Sequence, residues 1–268
     1  DSFAVKPLDA LIKAGVKISC VVTEPDRGKG RGLKFEGTPV KAAAREAGLK
    51  IYQPIDVNSK DALDFVMKLD HDLFIVIAYG QLLSRGLLDL AKIFSINAHA
   101  SLLPKYRGAA PINRAIIMGE EITGVTIMKI TKEMDAGPVI LQKHLPILKE
   151  DTALSLQDKL SVLAAQLVLE ALTQIENNSF KLLPQDEAMV SYAPKMKKSD
   201  GKINWSQCGR EICNLVRGCL DWPGAFTYYR GKILKIYNSV VARAPFDYAQ
   251  GKQERQSTSL TAGEIIEV

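Results

Sequence analysis

The sequence predicts an α/β protein built on a doubly wound, Rossmann-like, mostly parallel sheet, followed by a small, mostly β domain. Three observations carry this. Segments with helical and strand periodicity alternate from Ser2 to about Phe180. Strand-like runs such as "DLFIVIAYG" hold few polar residues, as strands covered on both faces do. After Asn177 the alternation breaks into a proline-containing polar stretch, and a hairpin pattern follows.

In order, "FAVKPLDALIKAG" has apolar residues at helical spacing and stops at Gly15, and "VKISCVVTEP" reads as a buried strand ended by Pro25. "TPVKAAAREAGLK" is a helix with Thr38 as N-cap, Pro39 in its first turn and Gly48 past its end. "KDALDFVMKLD" is a helix feeding the strand "DLFIVIAYG". Strand "KIFSINAHA", helix "AAPINRAIIMGE" and strand "TGVTIMKI" follow, and "GPVILQKHLPIL" reads as a bent or bulged strand. "DTALSLQDKLSVLAAQLVLEALTQIENN" is a long helix with Asp151 as the expected N-cap. Beyond the break, "NWSQCGREICNLVRGC" reads as one amphipathic helix, "GAFTYYRGKILKIYNSVV" as a hairpin turning near Arg230-Gly231, and "EIIEV" as a further strand. These breaks predict a first domain over 1–180, a linker over 181–195 and a C-terminal domain over 196–268.

Composition narrows the class. The longest strongly apolar run, "LFIVIA", is far short of the ~20 residues a spanning helix needs, so no membrane role is expected. The four cysteines, Cys20, Cys208, Cys213 and Cys219, form no C-x-x-C pair, which suits a reducing, cytoplasmic setting and no metal site. Net charge is +5, but between Lys195 and Lys235 nine Lys/Arg face only three Asp/Glu. A module meeting a polyanion carries such a bias; so does a solvated lysine face. Trp205 and Trp222 are expected in the core, and His71 and His144 on the surface.

The chemistry-bearing residues cluster in "SINAHASLLPKYRGAAP". Asn97 and His99 lie two apart, hence on one side of a strand, at its carboxyl end. That rim is where ligands bind in open α/β sheets. Asp135, in "KEMDAGPV", follows the next strand after one helix and one strand, enough chain to return to the same rim. A transition-metal site is disfavoured by a single histidine beside a weakly ligating asparagine. A Ser101–His99–Asp135 hydrolase lacks the G-x-S-x-G elbow. Acyl transfer without a covalent intermediate fits better: Asn97 and His99 hold a developing oxyanion while Asp135 orients the imidazole and favours its charged form.

The stretches "VTEPDRGKGRG", "AYGQLL", "INAHASLLPKYRGAAPI", "TGVTIMKI", "MDAGPVI" and "SYAPKMKKSDGKINW" occur in one order along nearly the whole chain. In that order the chain resembles the folate-dependent formyltransferase superfamily, and "DRGKGRG" with "KINW" narrows the resemblance to its tRNA branch, the methionyl-tRNA formyltransferases. The resemblance implies a formyl group passed from 10-formyltetrahydrofolate, as cosubstrate, to the α-amino group of methionine on initiator tRNA. Asn97, His99 and Asp135 match the catalytic residues. Tyr79, Gly80, Gln81 and Leu82, with Ser101, Leu102, Leu103 and Pro104, match the folate-contacting segments. Arg27, Lys29 and Arg31 match a loop that wedges into the tRNA acceptor arm, and Lys197, Lys198 and Lys202 fall in the basic module after the linker. It also implies a C-terminal barrel like an oligonucleotide-binding fold, incomplete at Val268, a first strand missing before Asp1, and a monomer.

The chemistry agrees with these residue types. An aminoacyl ester's α-amine has a pKa at or below ~7.7–8.0, so a usable share of it is already neutral at pH 7 and no strong base is needed. The costly event is charge on the formyl oxygen, where each oxyanion donor contributes about 3–4 kcal/mol. A sister formyltransferase acting on a small amine, such as glycinamide ribonucleotide or an amino sugar, is the enzyme alternative. A non-catalytic RNA-binding protein is the alternative of another class.

Overall fold

The computed structural model describes residues 2–29 and 34–240. The chain divides into two compact units. Residues 1–111, 122–146 and 157–194 form the first, and 112–121, 147–156 and 195–268 form the second. The stretch expected as a linker thus belongs, up to Pro194, with the first unit.

A 3₁₀ turn at Ser2–Ala4 runs into α1 (Val5–Lys13), which buries Pro7, Leu8 and Leu11. β1 (Val21–Val22) follows, then an antiparallel ribbon of β2 (Arg27–Lys29) and β3 (Lys34–Glu36). The side chain of Thr38 accepts from Lys41 N at 3.1 Å and so starts α2 (Pro39–Glu46), with Pro39 where no N–H is required. β4 (Ile51–Tyr52) pairs parallel with β1. Leu8, Val21 and Ala44 form one apolar cluster with Ile12, Val40 and Ile51 around them. The sequence places the start of α2 correctly because its cap is local: a side-chain oxygen three residues ahead of an orphan N–H decides it.

α3 (Lys60–Met67) is capped by Ser59, and β5 (Leu73–Val76) leads to α4 (Arg85–Leu88), capped by Ser84. Val57, Val66 and Leu87 make a second cluster, against which Phe74 and Tyr79 pack. His71, expected at the surface, instead bridges two carbonyls: Nδ1 lies 2.9 Å from Leu69 O and Nε2 3.0 Å from Leu90 O.

β6 (Phe94–His99) runs parallel to β5, so both strands deliver their carboxyl ends to one rim. After α5 (Pro111–Ile117), β7 (Ile122–Lys129) pairs antiparallel with β6, and β8 (Val139–Pro146) antiparallel with β7, giving the order β5-β6-β7-β8. The register slips at Ile127/Met128, where Ile140 is the extra residue, which accounts for the bend read in this strand. α6 (Ala153–Glu176) buries Leu156, Leu160, Ala164, Val168 and Ala171 completely, a stripe at helical spacing. Its first turn is capped by Thr152 and Ser155, each accepting from the other's backbone N–H. Asp151, the expected cap, sits one residue earlier, 2% exposed, and accepts from Leu148 N and Ser155 Oγ.

In the second unit α7 (Gly209–Gly218) is shorter than its amphipathic pattern. Asn204 Oδ1 accepts from Ser206 N and Oγ, holding the first residues in a turn, and Glu211 accepts from Cys208 N to start the helix. Arg114 pairs with Asp200 at 2.5 Å, and Asn113 donates to Gly218 O at 2.9 Å. β9 (Ala225–Tyr229) and β10 (Lys232–Ile236) form the expected hairpin around Arg230-Gly231. Trp205 and Trp222 are exposed (43% and 57%) rather than in a core, and the indole N–H of Trp205 donates to Thr227 Oγ1 at 2.9 Å. The strand "EIIEV" and the rest of the expected barrel lie outside the described residues. No described helix is long and apolar enough to cross a membrane.

Candidate active site

Asn97 and His99 lie at the carboxyl end of β6, where Asn97 pairs with Val76 on one side and Met128 on the other, and His99 with Thr126. Asp135 arrives by a route other than the one its spacing suggests. β7 is antiparallel to β6, so it ends beside Ile96, toward the opposite rim. The nine residues between β7 and β8 instead fold back and bring the carboxylate to β6. Asn97 Nδ2 donates to Asp135 Oδ1 at 3.3 Å, Gly108 N donates to Asp135 Oδ2 at 2.8 Å, and His99 Nδ1 stands 3.7 Å from Oδ2. The side chains of His99 and Asp135 are 6% and 13% exposed. Amide, imidazole and carboxylate therefore converge in one largely dry place.

His99 Nε2 lies 2.9 Å from the carbonyl oxygen of Tyr106. A carbonyl only accepts, so Nε2 carries a proton. The neutral tautomer is thus set by Tyr106, and Nδ1 is the nitrogen that faces Asp135. Asn97 has two amide protons, and its bond to Asp135 occupies one of them.

The predicted folate segments line the same rim. The loop Ala78–Leu82 leaves β5 there, with Ala78 at φ +46° and Gly80 at φ +88°. Tyr79 packs its ring into the Val57 cluster, where burial first and then Glu24 push its hydroxyl up to about 12. Gln81 spends its amide on the backbone of Val57 and Ile55, and Leu82 is 75% exposed. Gly80 and Leu82 are therefore the solvent-facing members of that set. Ser101 is fully buried and donates to Lys105 O at 2.6 Å, and Leu103 is 5% exposed. Leu102 and Pro104 are half-buried.

Of the predicted tRNA residues, Arg27 is exposed at the start of the β2–β3 ribbon and pairs with Glu24 at 3.4 Å. Lys29 ends β2, and Arg31 lies outside the described residues. Lys197, Lys198 and Lys202 are all exposed around the 3₁₀ turn Lys198–Gly201 in the second unit. No group of His, Cys, Asp or Glu able to hold a metal occurs among the described residues. A depression of about 290 Å³ lies on the β9–β10 hairpin, lined by Tyr229, Arg230, Lys232, Ile233 and Leu234, and takes in none of the three converging residues.

Sequence reasoning missed several residues that build this site. Thr126 Oγ1 donates to Ser101 O at 2.6 Å and accepts from Leu103 N at 3.2 Å and Gln142 Nε2 at 2.9 Å, pinning the turn after His99. Its signal was available: one hydroxyl inside the apolar run "GVTIMKI". Gln185 donates to the carbonyls of Asp135 and Gly137, and Arg107, 4% exposed, donates to Gln185 and Glu187. No local pattern marks these.

Residues 1–172 match the family model described as formyl transferase, and 195–268 the one described as formyl transferase, C-terminal domain. The chain is 43% identical over 250 residues to the methionyl-tRNA formyltransferase of Alkaliphilus oremlandii, covering 93% of this chain and 81% of that one. It belongs to the methionyl-tRNA formyltransferase family. The relative in this family from Moorella thermoacetica is 45% identical over 237 residues, covering 88% of this chain and 76% of its own. Among solved structures the fold of this family member is similar to an N-formyltransferase from Helicobacter canadensis in complex with folinic acid and dTDP-3-aminofucose. The TM-score is 0.69 at 23% identity, over 90% of this chain and 85% of that one. HypX from Aquifex aeolicus in complex with tetrahydrofolic acid gives 0.59 at 25% identity, over 72% and 34%.

Proposed function

We propose that this chain formylates the α-amino group of methionine on initiator tRNA, with 10-formyltetrahydrofolate as donor and Asn97, His99 and Asp135 as the reacting set. The observation that carries the reading is the approach of two different side chains, Asn97 Nδ2 and His99 Nδ1, to one Asp135 carboxylate at 3.3 and 3.7 Å. Family membership supplies the reaction class.

The residues at the rim fit a folate. Gly80 exposes its backbone where an added Cβ would stand 3.1 Å from Glu24 Oε1, and Leu82 presents apolar surface beside it. A flat ring with polar edges suits such a pairing of bare peptide and aliphatic side chain. Gly80, Leu82 and the 101–104 turn would hold the donor, which supplies the formyl group when bound.

Each protein group then has one task. The second N–H of Asn97 donates to the formyl oxygen as negative charge develops there, a contribution of about 3–4 kcal/mol for comparable donors. His99, with Nε2 held by Tyr106, presents Nδ1 to the same region; protonated there, it adds charge to the donation. Asp135 accepts from Asn97 and Gly108 N, which aims its remaining lone pairs at the imidazole and at the proton that the amine must lose. Little water reaches these groups, so each interaction is stronger than it would be in solvent.

The same proposal assigns 1–180 to catalysis and 196–268 to tRNA contact. Arg27, Lys29 and Arg31 would follow the acceptor arm, and Lys197, Lys198 and Lys202 would meet backbone phosphates, contacts that weaken steeply with salt. The test is formylation from 10-formyltetrahydrofolate of charged initiator tRNA beside glycinamide ribonucleotide, at two salt concentrations. Turnover on the tRNA that falls as salt rises is expected. Turnover confined to the small amine would overturn the substrate, and tRNA binding without any turnover would overturn the enzyme.

A further inference from the structure

Asp135 adopts φ +53°, the left-handed region, which Asp tolerates better than most residues with side chains, and its backbone is held there by a neighbour. The neighbour is Gln185. Its Nε2 donates to the carbonyls of Asp135 and Gly137, both at 2.8 Å. Its Oε1 accepts from Arg107 Nε at 3.0 Å and Nη2 at 2.8 Å. Both amide protons and both lone pairs are thus committed, which fixes the side chain in one orientation.

Arg107 is fixed in turn. Glu187 accepts from its Nη2 at 2.8 Å and Nη1 at 3.3 Å. Its backbone is laced to the same segment: Arg107 N donates to Ser191 O at 2.9 Å, and Arg107 O accepts from Ala193 N at 2.7 Å. Leu183 exchanges both backbone hydrogen bonds with Val139, just after the Asp135 turn. The stretch from Leu183 to Ala193 therefore ties down both pieces of chain that serve His99 and Asp135. One is the turn carrying Asp135. The other, 106–108, carries the Tyr106 carbonyl and the Gly108 N–H.

We infer that Gln185 is a positioning residue for the formyl transfer, holding the Asp135 turn so that its carboxylate faces Asn97 and His99. The inference rests on the reading of those three residues as the reacting set. It makes the segment before the C-terminal unit a working part of the catalytic unit. Gln185 touches neither substrate; it acts through the carbonyls on either side of Ala136, one of them Asp135's own.

Two variants of the complete chain test this. Gln185→Met keeps length and removes all four bonds, whereas Gln185→Glu keeps the acceptor for Arg107 but sets an oxygen against two carbonyls. Both are expected to lower kcat by about 10–100-fold, the scale of a misplaced catalytic group, with KM for folate and tRNA changed less than about twofold. In an Asp135→Asn background the Gln185 changes should add almost nothing, because both act through one carboxylate. Wild-type kcat in Gln185→Glu and Gln185→Met, with Asp135→Asn impaired, overturns the inference alone. Losses that add in full to Asp135→Asn, or that track a fall in folded protein by circular dichroism, make Gln185 a general stabiliser and overturn it too. Near wild-type turnover by Asp135→Asn itself overturns the reading beneath.

Discussion

His99 and Tyr106 share a hydrogen bond of 2.9 Å, from Nε2 to the main-chain carbonyl oxygen, and it decides how the imidazole meets Asp135. In the neutral ring the proton sits on Nε2, so Nδ1 turns a lone pair toward Oδ2 of Asp135 at 3.7 Å. Two acceptors facing each other leave room for one proton, whether from the solvent-exchanged ring or from the attacking amine. The neutral form should therefore be the Nε2–H tautomer, which the ¹⁵N shifts of selectively labelled histidine report directly. A dominant Nδ1–H tautomer would remove Tyr106 from the account.

Gly108 is a close backbone approach at the site. Its φ is +121°, and an added Cβ would stand 2.7 Å from the Ala193 carbonyl oxygen, a main-chain atom with little freedom to retreat. Gly108→Ala should cost at least about 1–3 kcal/mol of stability from backbone strain. It should also lower kcat, because the N–H of residue 108 would leave Asp135. Chemical denaturation beside steady-state kinetics separates the two losses.

Thr126→Val keeps the shape of a fully buried side chain and removes the hydroxyl that serves Ser101 O, Leu103 N and Gln142. Unsatisfied buried groups cost about 1–3 kcal/mol each, so unfolding should become easier by at least about that amount. Because the turn it pins borders the predicted folate segment, KM for the donor should rise more than KM for tRNA. Thr126→Ser retains the hydroxyl and should recover most of both.

Cys219 is fully buried, and burial first, then Asp200, push its thiol up to about 11. The sign follows from linkage: the native state keeps the proton that an unfolded thiol loses near 8.5. This contribution is intact below pH 8.5 and declines as pH rises from there to about 11. At pH 8 iodoacetamide should label exposed Cys208 and spare Cys219 until the chain unfolds, a difference that peptide mass spectrometry resolves.

Local signals made much of this fold legible. Thr38 was legible as the cap of the helix that begins after it because capping is a matter of a few adjacent residues, whereas the short helix after Ser84 was not predicted. Asn97 and His99 were legible because strand alternation is strict. What was hidden is long-range. Nothing near Asp135 announces that β7 is antiparallel and that its following loop must fold back. Gln185 and Arg107, 78 residues apart, are joined by hydrogen bonds that no periodicity encodes. His71 looked like a surface residue for the same reason: its two carbonyl partners, Leu69 and Leu90, belong to different loops.

The most direct measurement is single-turnover formylation of charged initiator tRNA by Asp135→Asn beside the unaltered chain, with thermal unfolding of both. Asparagine keeps the size of the side chain and an oxygen, but it cannot take a proton. A rate lower by about 10²–10⁴-fold, the range for losing one acid–base group, is the predicted result, with the chain still folded at the assay temperature and melting lowered only by the one hydrogen bond the amide cannot accept. A rate within a few-fold of the unaltered chain would contradict the claim that this carboxylate, set between Asn97 and His99, takes part in the transfer.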